Sequence, residues 1–372
     1  MNDLTREPEP LRRAMTEAVE RVISSGSYVL DREVERFERS WAERCGVRFG
    51  VGVGNGMDAL EIALQALGIG PGDEVIVPAM TAFASVLAVI RAGATPVLAD
   101  IDEETALLSL ESVRRVISGR SRALMVVHLY GRLERMNAWV SFCHDHGLVL
   151  IEDCAQAHLA SRNGAVAGSF GRVGAFSFYP TKNLGALGDA GMLITDDETI
   201  ARKARQWRDY GRSVSGGSGL HLVAGLNSRL DELQAALLSA RLPWLEGFNA
   251  ARRAIAMLYA QGIHHPGVRL PPMPEESDSH VHHLFVVNSP QRDALQTHLN
   301  HCGVKTGSHY PLPVHWHPAC GNPPRDPLGL RRAERHAESC LSLPCHPFLE
   351  GYEVERVVDS INRFIFTRGA TP

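Results

Sequence analysis

The stretch FGVGVGNGMDALEIALQALG, residues 49 to 68, changes its period halfway along. In its first six residues Phe49, Val51 and Val53 share one face of an extended chain, which predicts a strand over 49–54. From Asn55 onward Met57, Leu60, Leu64 and Leu67 recur at spacings of three and four, one stripe of a helix over 55–68. A strand that passes through glycines straight into a helix is half of a repeating unit, and the flanking sequence repeats it.

DEVIVPA (73–79) is strand-like, and SVLAVIRAG (85–93) is a helix stopped by Gly93. TPVLADI, RALMVVHLYG, GLVLIEDCA and GAFSFYP are further apolar, β-branched runs, with the helix WVSFCHDHG (139–147) between two of them. GMLITDD (191–197) adds a strand that leads into the helix ETIARKARQWRDYG. Strand–helix units with continuously apolar strands imply an α/β fold with a mostly parallel central sheet covered on both faces. Residues 230–262 form one long helical pattern broken at Pro243. After it comes the Pro-rich HPGVRLPPMPEES, then HVHHLFVV, a helix-like RDALQTHLNHCG and a final helix in YEVERVVDSINRFIF. The expected division is a large domain over 1–245, N-terminal helix included, and a smaller C-terminal α/β domain over 246–372.

The bulk properties exclude several classes. With 372 residues the chain can bury a large core. Its 38 basic and 42 acidic residues leave a net charge of -4, so nothing points to nucleic acid. No run approaches the about 18 apolar residues that cross a bilayer, and the first 30 residues lack a signal-peptide core. The seven cysteines are odd in number and scattered, which reads as reduced thiols in a cytoplasmic protein.

Three places carry chemistry. In VGVGNGMDAL the N–H groups of Gly56, Met57 and Asp58 fall in the first turn of a helix, where a phosphate is favoured; a plain tight turn with Asp58 at a helix start fits equally. The spacing is neither a dinucleotide nor a Walker loop. In LIEDCAQAH (150–158), Glu152 and Asp153 end a buried strand, the end at which open α/β sheets bind ligands. A carboxylate there serves either as a helix cap or as the partner of a protonated ring nitrogen, with Gln156 within reach of a ring substituent. In FSFYPTKNLGALGDAG (176–191), Lys182 has no acid within six residues. Desolvation lowers a lysine pKa and leaves a nucleophilic amine. The surrounding glycines let the backbone approach a bound object closely, and Ser177 is spaced to reach it. A phosphate, a ring nitrogen facing a carboxylate and an aldehyde captured by an amine describe one ligand, pyridoxal 5'-phosphate (PLP).

These motifs, together with NGMDALEIALQALGIGPGDEVIVPA, VVHLYG and GLNSRLDELQAALL, resemble the DegT/DnrJ/EryC1/StrS family of sugar aminotransferases, within the fold-type I PLP enzymes, from about residue 20 to 350. The resemblance implies that Lys182 binds the cofactor aldehyde and shuttles the proton, and that Asp153 pairs with the ring nitrogen. Gln156 would bond the ring hydroxyl, Ala155 would pack under the ring and Phe83 would stack on its other face. Gly56, Met57, Asp58 and Ser177 would hold the phosphate, joined by Asn227 from a partner subunit, so a homodimer is implied. Met57 stands where the family often has threonine. A histidine at the lysine position marks sugar dehydratases, so Lys182 favours transamination. L-Glutamate would convert the cofactor to pyridoxamine 5'-phosphate, which would aminate a nucleotide-linked keto sugar. The combination of motifs resembles branches acting on dTDP 3-keto-6-deoxy sugars more than those acting on 4-keto sugars. A catalytically idle binding or regulatory protein is the alternative from another class. His309 and Tyr310 are candidate sugar-nucleotide contacts, and Arg229 binds a donor carboxylate or a diphosphate, or else braces its loop. The histidines of HVHHLFVV and SHYPLPVHWHP lack cysteine or carboxylate partners at ligand spacing, so no metal is expected. Cys154 reads as a small apolar filler.

Overall fold

The computed structural model describes residues 3–213 and 219–365. Phe366, at the end of the expected last helix, lies outside them, as do the first two and last residues of the expected domains. Helices α1 (Glu9–Ser25) and α2 (Arg32–Cys45) lead into a seven-stranded sheet. Its strands are β1 (Phe49–Val53), β2 (Glu74–Pro78), β3 (Thr95–Ala99), β4 (Ser121–Val127), β5 (Val149–Asp153), β8 (Val173–Ser177) and β9 (Gly191–Thr195), with a short β6–β7 hairpin (Ser161–Arg162, Ala165–Val166) to one side. The order is β1-β9-β8-β5-β4-β2-β3. Pairings from β8 through to β3 are parallel, and β9 runs antiparallel to both β1 and β8. The strands are buried on both faces, as their continuous apolar runs require.

Helix α3 (Gly56–Leu67) begins where Asn55 caps it, the side-chain Oδ1 accepting the Asp58 N–H at 2.9 Å, and ends at left-handed Gly68. It is buried beyond the single stripe the spacing suggested: Ala59, Ile62, Ala63 and Ala66 are as hidden as Leu60 and Leu64. The sheet lies on one side of it, and α4 (Phe83–Arg91) and α7 (Glu198–Arg208) on others. Helix α4 starts two residues before the expected Ser85, and α6 (Met136–His146) starts three before Trp139. Neither has a side-chain cap to mark its start in sequence. Helix α5 (Leu110–Val116) packs with α2 and α6 in the second core beneath the sheet, not with α3 and α4.

The long pattern over 230–262 is α8 (Glu232–Arg241), a single 3-10 turn at Leu242–Trp244 containing Pro243, and α9 (Leu245–Gly262). Helix α9 begins in the core beneath the sheet with Leu245 and ends in another with Ile255, Ala256 and Tyr259. That second core is closed by β10 (Phe285–Asn288), α10 (Arg292–His301), β11 (Cys340–Leu343) and α12 (Gly351–Asn362). The other faces of β10 and of α11 (Arg331–Ser339) give Val286, Ala333 and Ala337 to the large-sheet core. Among the described residues no helix is long and apolar enough to cross a membrane.

Candidate active site

Adjacent residues of β5 point to opposite faces, and this separates the two carboxylates. Glu152 is fully buried and accepts the N–H groups of Gly168, Phe170 and Gly171 at 2.8, 2.8 and 2.6 Å, with His128 Nε2 at 2.9 Å. His128 Nδ1 in turn accepts the Glu134 N–H. The buried trio His128, Glu152 and Cys154 therefore spends its histidine and carboxylate atoms on the fold. Asp153, on the other face, accepts Ser85 Oγ at 2.7 Å and the Ala155 N–H at 3.1 Å, and Thr81 lies 2.9 Å behind Ser85.

Lys182 follows β8 in a tight loop, its N–H bonded to the Tyr179 carbonyl at 2.8 Å. Its amine makes no hydrogen bond or ion pair among the described residues. Desolvation lowers its pKa to about 8, with the charge of Asp153 acting the other way. The loop is pinned from behind. His158 Nε2 donates to the Ser177 carbonyl at 3.0 Å, and its Nδ1 accepts the Leu184 N–H at 3.1 Å. Burial among Trp41, Phe176 and Phe178 pushes this histidine down to about 3, so it is neutral. Asn183 donates to Asn249 Oδ1 at 2.8 Å and to the Val281 carbonyl at 3.1 Å, and accepts His283 Nδ1 at 3.0 Å.

The glycines of this loop do something other than expected. A Cβ on Gly185 would sit 2.3 Å from the Pro180 carbonyl oxygen, and one on Gly191 would sit 2.3 Å from that of Asn55. They let the chain approach itself, so that the lysine loop folds back and β9 passes under the start of α3.

Two N–H groups at that helix start, those of Gly56 and Met57, have no partner among the described residues. A Cβ on Gly56 would meet Ser177 Cβ at 2.5 Å, so the serine is packed against this turn with its hydroxyl proton free of an acceptor among the described residues. Asp58 departs from expectation. Its N–H is occupied by Asn55, and its carboxylate takes Ser228 Oγ at 2.6 Å and Asn55 Nδ2 at 3.0 Å. Asp58 shapes the cradle without a free donor of its own, because the N-cap side chain claims the third N–H.

After the Asp153 strand end, Gln156 Oε1 accepts the Tyr130 N–H at 2.6 Å and its Nε2 donates to Tyr310 Oη at 3.0 Å. Burial, with help from Asp153, pushes the Tyr310 hydroxyl up to about 12. His309 Nδ1 lies 2.8 Å from Ser342 Oγ, and burial together with Lys182 lowers its pKa. Ala155 is half-buried, and Phe83 opens α4 with its ring 5.1 Å from that of His317. The Asn227 side chain is exposed and makes no hydrogen bond among the described residues, while its neighbour Ser228 is tied to α3. Arg229 pairs with Asp209 at 3.1 Å and lies over the Tyr210 ring. Sequence reasoning assigned no role to Ser85, Asn183 or His158. The last stands inside the EDCAQAH motif, and its position three residues after Ala155 was the one available signal.

This architecture is that of the fold-type I PLP-dependent aminotransferases. A family profile described as the DegT/DnrJ/EryC1/StrS aminotransferase family matches residues 10–362, and the chain belongs to that family. It is 44% identical over 363 residues to a dTDP-3-amino-3,4,6-trideoxy-alpha-D-glucose transaminase of Streptomyces venezuelae, covering 97% of this chain and 95% of that protein. It is 42% identical over 353 residues to a dTDP-3-amino-3,6-dideoxy-alpha-D-galactopyranose transaminase of Aneurinibacillus thermoaerophilus, covering 95% and 96%. The solved structure of S. venezuelae DesV in complex with a ketimine intermediate superimposes with a TM-score of 0.92, at 44% identity, over 97% of this chain and 96% of that one. The chain is accordingly an enzyme, a sugar aminotransferase, and PLP dependence is implied by its family.

Proposed function

We propose that the chain transfers an amino group from L-glutamate to the C-3 keto group of a dTDP-linked 6-deoxy sugar, with PLP as cofactor and pyridoxamine 5'-phosphate as its aminated form. The observation that carries the cofactor reading is the unpartnered Lys182 amine, lowered to about 8, beside Asp153 and a cradle of spare donors. The residues fit the group. The Gly56 and Met57 N–H groups and the Ser177 hydroxyl offer three donors to a phosphate. The Asp153 carboxylate offers an acceptor to a ring N–H, Gln156 would bond the ring hydroxyl, and Ala155 and Phe83 would pack on the two ring faces. When bound, PLP supplies an aldehyde that takes up the amino group and a ring that stores an electron pair.

The protein's own part is to hold and move protons. Ser85 and the Ala155 N–H fix the Asp153 carboxylate, which would hold a ring nitrogen protonated when the cofactor is bound. Lys182, its pKa lowered to about 8 so that part of it is a free amine near neutral pH, would carry a proton between the donor carbon and the cofactor carbon two bonds away. His309 and Tyr310 stand at the same site and are assigned to the sugar nucleotide. Arg229, held by Asp209, is assigned to bracing the loop that presents Asn227 to a partner's phosphate cradle, which makes a homodimer the working form. The division at 245/246 belongs to this reading, with α9 joining the two parts. All seven cysteines are free, which supports a cytoplasmic setting.

The relatives named for 3-amino sugars support the C-3 assignment over C-4. The test is to incubate the holoenzyme with glutamate and a panel of 3-keto and 4-keto nucleotide sugars. Mass spectrometry should find the amine-for-ketone change, and NMR should place it at C-3 of a dTDP sugar. Amination at C-4, or of none of the panel, contradicts the proposal.

A further inference from the structure

A cavity of about 470 Å³ that Lys182 does not line lies between the loop after β3, the segment at Arg269, the end of β10 and α11. Its size is that of a small-molecule site. Three guanidinium groups line it. Arg269 has no carboxylate partner among the described residues, only the Glu103 carbonyl at 3.3 Å. The Arg332 guanidinium touches the Ile101 carbonyl at 3.5 Å and comes no closer than 4.0 Å to a carboxylate, that of Glu111, while its backbone N–H is held by Asp100 at 3.1 Å. Arg335 makes a long, exposed pair with Glu103 at 3.4 Å. Against these three cations stand Glu103 and Glu338, so the lining carries excess positive charge. Neutral donors add to it. Asn288 Oδ1 is taken by Ser339 Oγ at 2.9 Å, which leaves the Asn288 amide N–H groups without an acceptor among the described residues.

The cavity wall also includes a buried histidine. His336 lines it, is 6% exposed, and its Nδ1 has no hydrogen-bond partner. Its Nε2 lies 2.9 Å from the Tyr130 hydroxyl. That hydroxyl donates its single proton to the His309 carbonyl, so Nε2 carries the imidazole proton and Nδ1 keeps a lone pair. That nitrogen is itself buried, so it lies behind the cavity wall and not on it. The His336 ring joins the cavity wall to Tyr130, whose N–H holds Gln156.

We propose that this cavity is a second binding site, for a small organic phosphate. Arg269, Arg332 and Arg335 take the phosphoryl group, and the apolar side formed by Pro266 and Pro290 takes the sugar or nucleoside body. Arginine forks match phosphate oxygens, and the excess of donors selects an acceptor-rich group.

The experiment is calorimetric titration of the holoenzyme with glucose 1-phosphate, dTMP and inorganic phosphate. The wild type is compared with Arg332→Glu and with the double variant Arg269→Gln/Arg332→Gln. The Arg332 side chain is 40% exposed, so its replacement leaves the fold intact. The expected result is an organic-phosphate binding event, separate from any at the nucleotide-sugar site, that weakens by about tenfold or more in both variants, the weight of one charge-assisted contact. Preference for dTMP identifies a nucleoside body, and preference for glucose 1-phosphate a sugar. The proposal is overturned if the wild type binds neither, if no site is lost in the variants, or if inorganic phosphate binds as tightly as both organic probes. Binding is read without turnover, so loss of the aminotransferase reading leaves this result standing, and the converse holds.

Discussion

Ser85 donates a hydrogen bond to Asp153, 2.7 Å from Oγ to Oδ2, across 68 residues of sequence. The first turn of one helix thus fixes a carboxylate at the end of a strand two positions away in the sheet. A hydrogen bond to a charged acceptor is worth about 1.5–3 kcal/mol. Ser85→Ala is therefore expected to lower kcat by about tenfold or more while leaving the folded state intact. Steady-state kinetics check this, and an unchanged kcat contradicts the role given to Ser85.

Asn183 ties the residue after the lysine to α9 and to the segment before β10 through Asn249, Val281 and His283. Asn183→Leu keeps the volume and strands buried partners on both. The expected cost is about 2–4 kcal/mol of unfolding free energy, together with weaker retention of the cofactor. Denaturant unfolding and dialysis against buffer measure the two. Loss of neither shows that the network does not hold the lysine loop.

His158 is neutral in the folded protein, with its pKa down to about 3. The unfolded chain binds a proton at this residue near pH 6.5, which the folded chain refuses until about pH 3, so stability falls as pH drops through that window. The residue accounts for about 2 kcal/mol of loss between pH 7 and 5. In His158→Gln that part of the acid sensitivity is expected to vanish, even though the variant is less stable at pH 7. Unfolding curves at the two pH values decide it. An equal loss in both proteins contradicts the assignment.

Only an uncharged amine attacks an aldehyde. With Lys182 lowered to about 8, the rate at which cofactor-free protein captures PLP is expected to rise with pH and level off above about pH 8.5. Stopped-flow absorbance follows the capture. A rate still climbing toward pH 10.5, where an ordinary lysine titrates, rules out a desolvated amine.

The strand–helix rhythm from Phe49 to Thr195 was legible because period and burial agree there: a strand buried on both faces reads as an unbroken apolar run. Lys182, Asp153 and Ser177 were legible as candidates because a lone cation, a buried acid and a glycine-flanked turn are chemically out of place in such runs. The starts of α4 and α6 were not, since no capping side chain marks them. The division of labour between Glu152 and Asp153 was hidden for another reason. Which of two adjacent acids faces a nest of N–H groups depends on Gly168 and Gly171, which approach only after the chain has folded back. Likewise the purpose of Gly185 and Gly191 is a contact with distant or returning backbone, which spacing alone does not reveal.

The central claim is that the amine of Lys182 binds the aldehyde of PLP. Borohydride reduction of the yellow holoenzyme, followed by peptide mapping, tests it most directly. The account predicts a pyridoxyl group on the peptide containing YPTKN, at Lys182, and none on a Lys182→Ala variant. A label on another residue, or a protein that binds no PLP at all, contradicts it.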